Sequence, residues 1–167
     1  MLLALLWGLS AAAGAQVRYE PSPANVVQAM LDLAAVNPRD RVYDLGCGDG
    51  RIVVAAARLG AAAVCVDIDP QRIREAQDNA RQAGVAERIE FRNQDLFTVD
   101  LRDATVVMLF LSADFNRRLE PRLRSLPPGT RVVSHWHSMP TWRPQKWVSV
   151  PSGWREHPVY LWVVGEP

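Results

Sequence analysis

Lysine is almost missing from this chain. Of its 19 basic side chains only Lys146 is a lysine, a bias toward arginine, and 18 acidic residues leave a net charge of +1. So even a balance excludes a protein whose main work is coating nucleic acid, which needs a surplus of positive side chains. Cysteine is scarce too. Cys47 and Cys65 are too few for a disulfide framework and are expected to be small, reduced packing residues. No acid or cysteine stands at ligand spacing around His135 and His137, and with His157 as the one other histidine no metal site is expected. Internal repeats and dividing linkers are absent. With 167 residues, 49% hydrophobic and 22% charged, the chain suits one domain. A domain of that size can bury about 68–70% of the surface its unfolded chain exposes.

Charge is missing altogether from the first sixteen residues. Met1 to Gln16 is an apolar run ending in small residues where a signal peptidase could cut after Ala15, so residues 1–16 read as a leader and 17–167 as the folded domain. The nearest arginines, Arg18, Arg39 and Arg41, lie downstream. By the positive-inside tendency they favour a membrane-associated domain facing the cytoplasm, with export through a cleaved leader as the alternative.

Beyond the leader, helical and strand patterns alternate. Ser22-Pro23 reads as a cap and first-turn pair for a helix reaching toward Asn37-Pro38. Strands are expected at Arg41–Leu45, Ala61–Asp67, Arg88–Arg92, Thr105–Leu111 and Thr130–Ser134. Helices are expected at Ile52–Leu59, from Asp69-Pro70 to Gly84, and at Ala113–Leu126. Val148–Val150 and Pro158–Val164 are expected to form a terminal antiparallel pair. That order predicts an α/β fold: a doubly wound, mostly parallel Rossmann-like sheet of seven strands.

The strongest chemical signal is Val42-Tyr43-Asp44-Leu45-Gly46-Cys47-Gly48-Asp49-Gly50-Arg51. A strand ending in an acid, then three glycines at alternate positions, then a helix, puts backbone N–H groups beside a ligand that comes very close. A dinucleotide site would show G-x-G-x-x-G. Counting from Gly46 or Gly48 puts Arg51 or Val53 at the third glycine, which weakens a nicotinamide reading. S-adenosylmethionine fits better, because its amino-acid head, ribose and adenine each want a polar partner. Asp44 can meet the ammonium, with Gly46, Cys47, Gly48 and Gly50 around the head. Asp67, ending the second strand beside Ile68, can take both ribose hydroxyls, whereas Asp69 before Pro70 reads as a helix cap. Asp95 can accept from the adenine amino group, with Leu96 and Phe97 walling the ring.

The runs YDLGCGDGR, VDIDP and NQDLF, in this order, resemble the class I, seven-stranded S-adenosylmethionine-dependent methyltransferases. More narrowly, Tyr19-Glu20-Pro21-Ser22-Pro23, the GDGRIV stretch, and the RVVSH and TWRP stretches are similar to a small family of lysine methyltransferases. Its members act on the mitochondrial ATP synthase c-subunit and the adenine nucleotide translocase, and it has bacterial relatives. The resemblance spans about Tyr19 to Val164. It implies S-adenosylmethionine as cofactor, S-adenosylhomocysteine as product, and a lysine of a membrane protein as acceptor. The family's Tyr-Val-Pro-Thr-Pro stands here as Tyr-Glu-Pro-Ser-Pro, a departure at Glu20.

On the acceptor side, Tyr19 and His135 are the catalytic candidates, His135 as proton acceptor, with Ser134 and Trp136 lining the substrate. Trp136 and Trp142 flank a proline-containing loop and could shape a channel for a lysine or meet a membrane interface. Arg117, Arg118, Arg122 and Arg124 read as a solvated helix face, with phosphate binding the sharper alternative. Small-molecule or RNA methylation is the competing activity. A non-catalytic binding module is the alternative if the chain is exported.

Overall fold

The computed structural model describes residues 20–166; the leader and Tyr19 lie outside them. In chain order the elements are α1 (Ala24–Leu33), β1 (Arg41–Leu45), α2 (Arg51–Arg58), β2 (Ala62–Asp67), α3 (Pro70–Gln82), β3 (Ile89–Asn93), β4 (Val106–Leu109), α4 (Ala113–Arg124), β5 (Arg131–His135), β6 (Lys146–Ser152) and β7 (Arg155–Val163). They build one seven-stranded sheet in the order β3-β2-β1-β4-β5-β7-β6. The first five strands are parallel, and β7 runs antiparallel to both β5 and β6. The expected architecture is therefore the observed one.

The parallel strands are apolar on both faces because both faces are covered. Alternate residues of β1 divide between two cores: Val42 packs with α1, α2 and α3, while Tyr43 and Leu45 pack with Leu119 and Leu123 of α4. Strand order reverses between β1 and β4, so the crevice opens at the carboxyl ends of these neighbours, where a doubly wound sheet receives its ligand.

Two local expectations are corrected. Ser22 does not cap α1; Pro23 occupies the cap position and the Ser22 hydroxyl is bonded elsewhere. The terminal hairpin is longer than its apolar pattern suggested. His135, the last residue of β5, pairs with Val159, and β7 with β6 continues four residues farther to Arg155 and Ser152. At about 3.3 Å per residue the tip projects roughly 13 Å past that edge. It has no sheet to cover there, so it carries no alternating apolar signal.

Candidate active site

Asp44, next to last in β1, is almost wholly buried, 2% exposed, and its Oδ2 has no hydrogen-bond partner. Burial, then the neighbouring Asp67 and Asp49 carboxylates, push its carboxyl up to about 8. A buried acid with an unpartnered oxygen is an unfilled acceptor for a cation.

The glycines after it bring the backbone close. Gly46 and Gly50 have φ of 82° and 77°, in the left-handed region. A Cβ on Gly46 would lie 3.0 Å from Leu111 Cδ2, and one on Gly50 would lie 2.7 Å from the Ala76 Cβ, so side chains are excluded from both sides of the turn. The N–H groups of Gly46 and Cys47 both donate to the Val66 carbonyl, at 2.8 and 3.0 Å. The loop thereby lies over the end of β2.

Asp67 stands at that end. Its Oδ2 accepts from Gly48 N and its Oδ1 from Asp69 N, both at 2.9 Å. Each oxygen keeps a second lone pair for a ligand hydroxyl. Asp69 is the helix cap, accepting from Gln71 N at 2.8 Å. Beside them Ile68 is 71% exposed, an apolar face at the mouth of the crevice. Asp95 is exposed, and one of its oxygens accepts from Phe97 N at 2.9 Å, closing the turn that carries Leu96.

This turn has a support the sequence did not reveal. Arg122 Nη1 donates to the carbonyls of Leu96 and Phe97, at 3.3 and 3.1 Å, and the Arg118 guanidinium lies 3.7 Å from the centre of the Phe97 ring. Arg117 pairs with Asp114, and Arg124 with Glu120. Arg117 and Arg124 thus keep to the solvated face that was expected, paired with acids of their own helix, while Arg118 and Arg122 reach the turn. Their helical spacing was visible, but the loop they hold lies more than twenty residues away in sequence.

The cysteines depart most from expectation. Cys47 and Cys65 are joined as a disulfide, not held as reduced packing residues. The alternating side chains of β2 turn Cys65 toward the core that also holds Cys47, a proximity no spacing rule shows.

On the acceptor side, His135 is fully buried, with both ring nitrogens engaged: Nδ1 with Ser22 Oγ at 2.8 Å and Nε2 with His157 Nδ1 at 2.9 Å. Phe110 stacks over its ring at 4.1 Å between centroids. Burial first, then His157 and His137, lower its pKa to about 4. This corrects the expected direct proton acceptor: His135 has no nitrogen left for an amine and instead ties the entering segment to β5 and β7.

Ser134 is likewise buried, donating to the His137 carbonyl at 2.7 Å and accepting from Asn116 Nδ2 at 3.1 Å. It shapes the loop after β5 from behind rather than lining it. Trp136 is 36% exposed with a φ of 74°, and its ring packs edge-on against His157. Trp142 is not a channel wall but core: it is 8% exposed, packs on Trp162, and its carbonyl accepts from Trp162 Nε1 at 2.8 Å.

Two residues missed in the sequence organise the opening. Arg51 Nη1 donates to the Ser22 carbonyl at 2.8 Å, fastening the segment before α1 to the first residue of α2. Asn116, fully buried, reaches both Ser134 and the His137 carbonyl. Arg51 closes the glycine motif but had no role assigned in it, and Asn116 belongs to no motif; both act through partners distant in sequence.

Comparison with known proteins agrees with this geometry. A model of the ANTKMT methyltransferase domain matches residues 44–146. A protein from Saccharolobus islandicus named protein-lysine N-methyltransferase is 46% identical over 153 residues, 90% of this chain and 95% of that protein. The mouse adenine nucleotide translocase lysine N-methyltransferase is 37% identical over 131 residues, 77% of this chain and 57% of that one. A crystal structure described as an RNA methyltransferase from Salinibacter ruber, with bound S-adenosylhomocysteine, superposes with a TM-score of 0.83 at 46% identity, covering 89% of this chain and 95% of the other. The unpartnered Asp44 oxygen and the glycine turn fit the cationic head of that cofactor class. The chain belongs to the ANTKMT methyltransferase domain family, and it is an S-adenosylmethionine-dependent methyltransferase.

Proposed function

We propose that the enzyme methylates the side-chain amine of a lysine in a protein, and that it works at a membrane with its domain facing the cytoplasm. The acceptor reading is carried by the 46% identity, over 90% of this chain, to the protein named protein-lysine N-methyltransferase. The cofactor supplies a methyl group on a sulfonium. No charge builds up in such an in-line displacement, so the protein's task is alignment and exclusion of water. Asp44 would receive the ammonium of the methionine head, Gly46 to Gly50 would admit it against the backbone, Asp67 would take the ribose hydroxyls, and the Asp95–Phe97 turn would take the adenine. Phe110 and Trp136 stand at the ends of β4 and β5, where an aliphatic side chain would approach. Placement at a membrane is supported by the apolar run 1–16 and by the hairpin beside the segment that follows it. Glu20 pairs with Arg155 at 3.7 Å, and neighbouring Trp154 is 85% exposed, a residue type that prefers the membrane–water interface.

The test is transfer of labelled methyl groups to a membrane fraction and to a soluble extract. Label recovered as methyllysine from membrane protein is the expected result. Label confined to soluble protein would remove the membrane part and leave the lysine part standing. RNA is the second reading, because the Salinibacter structure bears that description. It predicts label lost to ribonuclease and kept through protease.

A further inference from the structure

The Cys47–Cys65 disulfide lies in the cofactor cradle itself. Cys47 sits between Gly46 and Gly48, and the bond fastens it to the middle of β2. The two ends of this bond differ in stiffness. Cys65 is fully buried in a strand paired on one side with β1 and on the other with β3. Cys47 belongs to a turn whose three glycines all have positive φ. Glycine backbones have the widest conformational freedom, so the turn is the compliant partner.

Reduction replaces one covalent link by two thiols, which must stand at van der Waals separation in a packed interior. The strand cannot yield, so the turn must. Its displacement acts directly on Gly48, whose N–H is bonded to Asp67, and on Gly46, which has Leu111 behind it. We propose that Cys47–Cys65 is a redox modification site that switches the cofactor cradle between a closed, tightly binding disulfide form and a looser, weakly binding dithiol form.

The chemistry balances by thiol–disulfide exchange. The two thiols lose two protons and two electrons to the disulfide of a small thiol compound or a dithiol oxidoreductase, which leaves as two thiols; reduction is the reverse. Cys47 is 5% exposed and Cys65 not at all, so exchange requires the glycine turn to open, and bound cofactor holds that turn shut. The coupling is reciprocal: whatever factor oxidation adds to cofactor affinity, cofactor adds to the disulfide's resistance to reduction.

The experiment uses the full chain. Alkylation and mass measurement, with and without prior reduction, establish whether the air-oxidised protein holds the bond. Calorimetric titration with S-adenosylmethionine then compares the oxidised and dithiothreitol-treated protein. A Kd at least fivefold weaker after reduction is expected, with a Cys65→Ala variant binding like the reduced form and indifferent to reductant. A redox titration with and without S-adenosylhomocysteine should show a more negative midpoint when the ligand is present, about 30 mV for a tenfold coupling. Free thiols in the air-oxidised protein, equal Kd values in the two forms, or tighter binding after reduction would each overturn the proposal. If Cys65→Ala does not fold, the two forms of the unaltered chain still decide the question.

Discussion

Ser22 Oγ and His135 Nδ1 lie 2.8 Å apart although 113 residues separate them in sequence. Continued through His157, the contact makes a buried chain of three side chains joining the segment before α1, β5 and β7. His135 is held neutral there, its pKa lowered from 6.5 to about 4. As pH falls through this interval, the unfolded chain takes up a proton that the folded one refuses, so stability is lost with acidification. The expected loss across that interval is about 3 kcal/mol, since each tenfold difference in proton affinity between the two states is worth roughly 1.4 kcal/mol. Urea denaturation across this range should show it. A His135→Gln variant should be less stable at neutral pH and lack that slope.

Asp44 behaves in the opposite sense. Its carboxyl, ordinarily near 3.8, is raised to about 8. The unfolded chain therefore releases its proton first, and this group costs stability as pH rises between those values. A cation placed against its unpartnered oxygen favours the carboxylate, so S-adenosylmethionine binding at pH 7 should expel a proton. Calorimetry in two buffers of different ionisation enthalpy should give different apparent heats. Asp44→Asn should abolish the difference and weaken binding about tenfold or more, roughly 1.4 kcal/mol.

Arg122 holds the Leu96–Phe97 turn without facing the crevice through any motif. Arg122→Ala should release the turn, weakening S-adenosylmethionine about fivefold, or roughly 1 kcal/mol. Arg122→Lys should restore little, because a single ammonium does not reproduce the guanidinium fork. Melting temperature and Kd measured together separate this effect from general destabilisation.

Arg131, the first residue of β5, offers a contrast at the opposite end of the strands. It pairs with Asp40, which is 5% exposed and also accepts from Thr105 Oγ1 at 2.8 Å and Asn37 N at 2.9 Å. Arg131→Met would leave a buried carboxylate without its countercharge, at a cost of about 3 kcal/mol. Chemical denaturation should register that loss. Calorimetry on the folded fraction should find cofactor affinity unchanged, since the site lies at the other end of the strands.

That the candidate cofactor residues would be brought to one end of the sheet was legible in advance, because their placement is local. Asp44, the glycine turn, Asp67 and the Asp95 turn each lie at or just after a strand end, and strand ends in a doubly wound sheet converge on one crevice whatever covers the sheet. Periodicity likewise sufficed for the seven strands, the order of helices and the antiparallel end. The acceptor half is built by contacts between elements far apart in the chain. That His135 would meet Ser22 and His157, that Trp142 would turn inward onto Trp162, and that α4 would brace the Leu96 turn depend on how layers stack. Local pattern records which residues are apolar, not which neighbours they meet. The disulfide marks this boundary most sharply. Two cysteines eighteen residues apart look independent along the chain, and only the crossing of the glycine turn over β2 joins them.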